Sequence, residues 1–351
     1  MRRDDGVTRH SDGLPWWLLD MRPQGYLGRT FAARYGDELG LPEQITEWTD
    51  THALRALLAQ GHDVVGNLLL GDVARARFLA SPEPVPNLVT DEDYARLAHE
   101  VASGEPPGSS AGGEQPKFTA VTMTPLGIQH VIVKFSEAEQ SPVSERWRDL
   151  LLAEHLALTT LREARIPAAK TSIIDHGAQR FLEVERFDRV GNLGRRALFS
   201  LAALDAEFVG SGTSNWPDIT RRLAADGHIL ASAAEGASLL WAFGVLIANT
   251  DRHNGNLSFV GERAPYDIAP TYDMTPMAFA PRSGGGLPDI VSEATIHASV
   301  ANETWRRAAA LAQSFLAKVQ TESGFSSRFR PCITALEHHV ETACAKIERL
   351  G

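Results

Sequence analysis

One transition constrains this chain more than any other. Residues 237–248 form an apolar run long enough for a buried helix. They break into the polar run Asn249-Thr250-Asp251-Arg252-His253-Asn254-Gly255-Asn256, which leads into a short strand over 257–260. Seventeen residues past Asn256 stands Asp273, in Pro270-Thr271-Tyr272-Asp273. Asn and Asp are common in the loop after a helix, so part of this pattern is ordinary turn chemistry. The loop nevertheless carries more polar groups than a turn needs. Asp273 sits in an apolar, proline-flanked setting, where a carboxylate has to find a partner.

Asp251, Asn256 and Asp273 have the chemistry that phosphoryl transfer asks of a protein. That reaction needs a base to orient the attacking hydroxyl, which Asp251 supplies, and hard oxygen ligands for Mg²⁺, which Asn256 and Asp273 supply. A D-x-x-x-x-N string alone is a weak signal, so the other constellations matter. Lys134, in Val131-Ile132-Val133-Lys134-Phe135, is embedded in a β-branched strand. It is either an edge-strand lysine that blunts aggregation or a phosphate-binding strand lysine paired with a helix glutamate. Glu154, on a long helix read over 145–164, is the candidate partner. The loop Gly108-Ser109-Ser110-Ala111-Gly112-Gly113-Glu114-Gln115-Pro116-Lys117 has small residues that let backbone N–H groups approach phosphate oxygens; the same composition also suits a flexible linker. It is not a Walker A loop, since Glu114 stands where the lysine must be. Residues 181–189 mark where strands stop and helices start, either a hinge offering backbone groups to adenine or a charged strand exit. The zinc-type spacings C-x-x-C and H-E-x-x-H are absent, as is a G-x-S-x-G elbow.

The 351 residues suffice for two lobes. With 34 basic and 44 acidic residues the formal charge is −10, which argues against coating of nucleic acid by the whole surface. Cys332 and Cys344 fall in one C-terminal helix, separated by about 18 Å of helix rise. They read as packed core thiols, and a chain without a disulfide framework fits a reducing compartment. No apolar run reaches spanning length, and the N-terminus lacks a signal peptide's apolar core, so a cytoplasmic protein is expected. His338-His339 are expected to be solvated.

Along the chain, residues 14–19 with Trp16-Trp17 are expected to be buried. Residues 21–29 form a turn into a helix, 51–60 a helix, 64–70 a strand, 80–88 a proline-rich linker, and 91–102 a helix capped by Thr90. Strands are expected over 118–123, 130–135, 171–175 and 180–185. Helices are expected over 197–208, 217–225, 231–248, 302–321 and 331–349. The division is residues 1–102 as an N-terminal accessory region, 103–186 as a β-rich nucleotide-binding lobe and 187–351 as a helical catalytic lobe.

Four ordered blocks resemble the HipA-type serine/threonine kinase toxins of bacterial toxin–antitoxin systems: residues 110–117, 131–135, 184–189, and 249–259 with Tyr272-Asp273. The resemblance implies an α+β, bilobed, protein-kinase-like fold that uses ATP and Mg²⁺. It implies Asp251 as catalytic base, Asn256 and Asp273 as Mg²⁺ ligands, and His253 and Tyr272 near the nucleotide. Lys134, supported by Glu154, would contact phosphates. Glu185, Arg186 and Phe187 would form the adenine hinge. Gly112, Gly113, Glu114, Gln115, Pro116 and Lys117 would cover the phosphates. Ser110 falls where such kinases carry an autophosphorylated serine, with Ser109 as a second candidate. A phosphate there adds nearly two negative charges to a loop that must cradle ATP, switching the kinase off. The family's protein substrates include aminoacyl-tRNA synthetases, and its partners are DNA-binding antitoxins. The family's small N-terminal β-subdomain is expected to be shortened here. No helix-turn-helix is evident, so direct nucleic-acid binding is not expected, nor is a membrane partner. A nucleotide-binding regulatory module without transfer activity, or a metal-dependent nuclease using Asp251, His253 and Asp273, are the alternatives.

Overall fold

The computed structural model describes residues 13–80, 91–102, 115–124, 127–212, 215–282 and 284–350. The chain enters through a 3-10 turn at Trp16–Met21 and three helices, α1 (Gly25–Leu39), α2 (Asp50–Gln60) and α3 (Gly71–Leu79). Leu14 and Leu18 are buried, but Trp16 and Trp17 are only half-buried, contrary to expectation. Trp16 instead reaches across to Phe199 and Phe208, with ring centroids 4.9 and 5.3 Å away.

Residues 64–70, expected as a strand, run as irregular chain. Gly66 takes φ +79°, which turns the chain out of an extended path. The carbonyls a strand neighbour would have paired go to guanidinium groups. Arg189 donates to Val64 O at 2.8 Å and Arg195 Nε to Gly66 O at 2.7 Å. The linker expected beyond Ala80 and the Thr90 cap lie outside the described residues. Helix α4 (Asp91–Ala102) follows as expected.

Strands β1 (Lys117–Thr124) and β2 (Gly127–Phe135) form a hairpin, and α5 (Pro142–Glu163) follows. The helix starts three residues before the expected Glu145, because Ser141 caps it through the Ser144 amide at 3.1 Å and Pro142 suits the first turn. Strands β3 (Thr171–His176) and β4 (Gln179–Glu185) complete an antiparallel sheet of order β1-β2-β4-β3. Alternation along β4 sorts its faces. Phe181 packs on Tyr94 of α4, while Leu182 and Val184 pack on Leu151 of α5.

The second lobe begins with a small hairpin, β5 (Arg189–Val190) and β6 (Gly194–Arg195), and then β7 (Leu198–Ser200). The helix expected over 197–208 is therefore a strand, one turn of α6 (Leu201–Leu204) and a π-helical turn, Asp205–Val209. Residues 198–200 are extended because they pair with a strand sixty residues on, Ser200 opposite Ser258. Ser200 then caps α6, its hydroxyl accepting from the Ala203 amide at 3.1 Å. Helices α7 (Trp216–Ala225) and α8 (Ala231–Leu246) lead to the polar loop. Strands β8 (Ser258–Val260) and β9 (Asp267–Ile268) follow it, and α9 (Asn302–Thr321) and α10 (Arg330–Glu348) close the lobe. The main core lies among α5 and α7 to α10.

Cys332 and Cys344 are free and buried on α10. His339 overturns the expectation of a solvated pair: it is buried, and its ring nitrogens lie 3.0 Å from the carbonyls of Ser292 and Val245. Its helix packs that side of the ring inward. Among the described residues no helix is long and apolar enough to cross a membrane.

Candidate active site

Strand β2 delivers Lys134 to the interior, where its side chain is 7% exposed. Its ammonium meets both oxygens of Glu154, at 2.6 and 2.9 Å, and also bonds the carboxylate of Asp273. Glu154 comes from the middle of α5 and takes a further bond from the Thr275 hydroxyl at 2.9 Å. Burial alone would lower the Lys134 pKa, but Asp273 and Glu154 reverse this and hold it above the usual lysine range. The ion pair expected from the strand lysine and the helix glutamate is thus present, with Asp273 as its third member.

Lys117 stands opposite Lys134 in the β1–β2 register and is equally buried. Burial pushes its pKa down, opposed by the fields of Asp273, Glu154 and Asp251, so all these groups share one electrostatic neighbourhood. Burial would raise the Asp273 pKa, but Lys134 and Lys117 draw it below the ordinary carboxylate value.

The loop is held by its own amides. Helix α8 stops at Leu246, two residues short of expectation, because Ala248 turns left-handed (φ 58°). The Asn249 amide then bonds Gly244 O at 2.9 Å, closing the helix. Asn249 is the keystone: its Nδ2 donates to Asp273 O at 3.2 Å and its Oδ1 accepts from the Asp251 amide at 2.9 Å. Asn256 donates to Asp251 O at 2.8 Å and approaches Asp251 Oδ2 at 3.4 Å. His253 Nε2 lies 3.8 Å from Asp251 Oδ1. Asp273 also adopts a left-handed backbone, φ 54°. Two non-glycine residues held this way on either side of one site mark strain stored where geometry matters.

Tyr272 donates to Gly255 O at 2.8 Å and shares a 2.6 Å bond with the Ser258 hydroxyl, so the strand after the loop and the Asp273 segment are tied together. Its ring faces Phe187 at 5.9 Å. Glu185 ends β4 and pairs with Lys170 at 3.2 Å. Arg186 directly follows β4, and its backbone and side chain go different ways. Its backbone amide bonds His130 O at 2.9 Å, but its buried guanidinium turns away into the N-terminal region, to Asp63 at 2.9 Å and Asp188 at 3.0 Å. Gln115 and Pro116 lead into β1, and Pro116 O accepts from the Phe135 amide at 3.1 Å. Ser109, Ser110, Gly112, Gly113 and Glu114 lie outside the described residues. Asn249 and Thr275 were not singled out by sequence reasoning. The first lies inside the polar run and could have been found there; the second carries no local signal.

The donor set suits Mg²⁺ and a triphosphate. Among the described residues no group of three or more His, Cys, Asp and Glu is placed to hold a metal. Mg²⁺ asks for less, since it is bound through one or two carboxylates plus phosphates and water. The Asn256 amide oxygen and the Asp273 carboxylate match that demand, and the Lys134 and Lys117 ammonium groups match phosphate oxygens. Beside the loop, His253, Asn254 and Gly255 line a pocket of about 480 Å³ with Asp205 and Gly212.

A sheet lobe that presents a glutamate-held lysine to a polar loop of a helical lobe places this protein among the bilobed, protein-kinase-like α+β folds. Within that class it belongs to the HipA-like toxin family. The family model described as "HipA-like C-terminal domain" matches residues 109–344, and "YjjJ-like toxin, middle domain" matches residues 1–79. The chain is 39% identical over 350 residues to toxin YjjJ of Escherichia coli K12, covering 99% of this chain and 79% of that one. Its fold is similar to that of HipA from Shewanella oneidensis, solved with HipB and operator DNA. That match has a TM-score of 0.58 at 16% identity, over 92% of this chain and 85% of that chain. A kinase, CtkA of Helicobacter pylori, aligns at a TM-score of 0.48 and 13% identity, over 68% and 93% of the chains.

Proposed function

We propose that this protein is an ATP- and Mg²⁺-dependent serine/threonine protein kinase, the toxin of a toxin–antitoxin system. It phosphorylates a cytoplasmic protein involved in translation, with an aminoacyl-tRNA synthetase as the family's example, and phosphorylates itself on Ser110 or Ser109. A DNA-binding antitoxin is the proposed partner, in line with the HipB complex of the Shewanella relative. The observation that carries the reading is the triad of buried Lys134 and Glu154 with the half-buried Asp273.

In this reading Mg²⁺-ATP supplies the γ-phosphoryl group and the charge neutralisation that its transfer requires. Asp251 orients the acceptor hydroxyl and takes its proton as the oxygen–phosphorus bond forms and ADP leaves. Its carboxylate is about half exposed, open to an incoming chain. Asn256 holds the Asp251 backbone and offers its oxygen to the metal. Lys134 and Lys117 hold phosphate oxygens, and Glu154 fixes Lys134. The hinge residues 185–187 offer main-chain groups to adenine.

Intact-mass analysis after incubation with Mg²⁺-ATP tests this. The wild type is expected to gain phosphate at Ser110 or Ser109, and Asp251→Asn to gain none while still binding nucleotide. Equal phosphate in that variant would remove Asp251 from the role of base. Nucleotide binding by the wild type with no transfer to itself or to lysate proteins would favour a regulatory module instead.

A further inference from the structure

The region 13–79 packs on the sheet lobe through Tyr26 of α1, set against the cluster of Phe118, Phe135 and Phe181, and it meets the hinge and the helical lobe at buried polar contacts. Its first foot is on the hinge. The Asp63 carboxylate bonds the guanidinium groups of Arg186 and Arg189, each at 2.9 Å. Asp188 joins the same cluster, bonding Arg186 at 3.0 Å and Arg189 at 2.6 Å and accepting from the Gly66 amide at 3.1 Å. Arg195, on β6, donates to the carbonyls of His62, Val64 and Gly66. Arg186 and Arg189 are 2% and 3% exposed. Their positions follow directly on Glu185, the last residue of the β4 strand that carries the sheet lobe into the helical one.

The second foot stands on the helical lobe. Asp20 takes the Ser200 amide at 2.6 Å and the Ser200 hydroxyl at 2.5 Å. Trp16 packs against Phe199 and Phe208 beside it. Ser200 pairs with Ser258 on β8, the strand that leaves the polar loop, and Ser258 bonds Tyr272. One end of the region thus grips the chain at the hinge, and the other grips β7, whose partner strand β8 follows Asn256 and bonds Tyr272.

We infer that residues 13–79 form a brace across the hinge, and that Asp63 is a positioning residue which sets the separation of Lys134 from the Asp251–Asp273 loop. The inference rests on the kinase reading for its functional consequence and on geometry alone for the brace. A single carboxylate shared by two buried guanidinium groups is a rigid tether, because losing it leaves two buried cations to share the one charge of Asp188. Closing or opening the lobes would pull the α1 contact with the sheet lobe against the two feet. The brace therefore favours one lobe geometry, and a ligand that needs that geometry binds more tightly for it.

The test uses the full chain and three variants, Asp63→Asn, Asp20→Asn and Asp175→Asn. The last breaks the Asp175–Arg180 pair of the sheet edge, away from both feet, as a control for general loss of stability. Hydrogen exchange without nucleotide is expected to rise in Asp63→Asn at both 61–66 and 186–190, and also at the distant foot, 198–200. Asp20→Asn is expected to do the same from the other end. Mg²⁺-ATP affinity by calorimetry is expected to fall about tenfold in either brace variant, the scale of a typical coupling between sites. Asp175→Asn is expected to leave it unchanged. If Asp63→Asn fails to fold, Asp20→Asn carries the same expectations. Exchange that rises only at the mutated foot, with unchanged Mg²⁺-ATP affinity, overturns the brace. A wild type that binds no Mg²⁺-ATP overturns the kinase reading, while the exchange pattern still decides on the brace.

Discussion

Lys117 and Lys134 stand directly opposite each other in the β1–β2 register, both buried, and share the fields of Glu154 and Asp273. Their energetic roles differ. Lys134 is compensated by two carboxylates, and replacing it by methionine leaves Glu154, fully buried, with the Thr275 hydroxyl as its remaining hydrogen-bond partner among the described residues. That is an uncompensated buried charge, and Lys134→Met is expected to lose about 3–5 kcal/mol of stability. Burial and the like charge of Lys134 push the Lys117 pKa down against the pull of Asp273, Glu154 and Asp251, so Lys117→Met removes a repulsion along with an attraction and is expected to change stability by less than about 1.5 kcal/mol. Both are expected to weaken Mg²⁺-ATP binding. Urea unfolding of the two variants separates them; equal losses would contradict the assignment.

The hinge cluster gives a pH dependence of definite sign. Burial would raise the Asp188 pKa, but Arg186 and Arg189 hold it well below its ordinary 3.8. Its contribution is therefore complete above the unfolded value and lost as pH falls through the depressed folded value. Asp20 and Asp149, raised mainly by burial, run the other way, so the difference between wild type and Asp188→Asn is the useful quantity. The variant is expected to be about 3–5 kcal/mol less stable near neutrality. The gap should narrow as pH falls below about 4. A constant gap would refute the assignment.

Cys332 and Cys344 make a prediction about accessibility. Burial pushes Cys332 up to about 11 and raises Cys344 as well. The thiolate is the reactive form, so a thiol-specific reagent at mildly alkaline pH is expected to leave both untouched in the folded protein. Both should react on unfolding. Rapid native labelling of Cys332 would mean that α10 is not packed as described.

His339 joins α10 to the end of α8 and to the loop at Ser292 through two carbonyls. His339→Ala is expected to remove the ring's hydrogen bond to one of these carbonyls and its packing between them, and to cost about 1–3 kcal/mol. His338→Ala, one residue away, is expected to cost under about 0.5 kcal/mol, as for an ordinary surface change. Thermal unfolding compares them; equal effects would contradict the buried bridge.

What could be read from the sequence was local. The sheet strands announced themselves by β-branched runs around a glycine turn, as in residues 131–135. Glu154 could be found because its helix pattern is strong and its distance from Lys134 matches a known pairing. The polar loop carried its own signal through residue types alone. What escaped depended on partners far along the chain. Residues 64–70 have strand-like composition, but arginines more than 120 residues away take their carbonyls. Residues 198–200 look helical until Ser258 is brought opposite them. His339 reads as a surface histidine until Val245 and Ser292 close around it, and no local signal tells that the Arg186 side chain goes to Asp63.

The central claim is that Asp251, Asn256 and Asp273 work together on Mg²⁺-ATP opposite Lys134. Its most direct test is transfer of labelled γ-phosphate from ATP to protein, with and without Mg²⁺, by wild type, Asp251→Asn and Asp273→Asn. Mg²⁺-dependent labelling of serine or threonine is expected of the wild type. A loss of at least about 100-fold is expected in each variant, the usual scale for a positioned acid–base or charge-stabilising group. Labelling that persists in both variants, or a folded wild type that labels nothing, would contradict it.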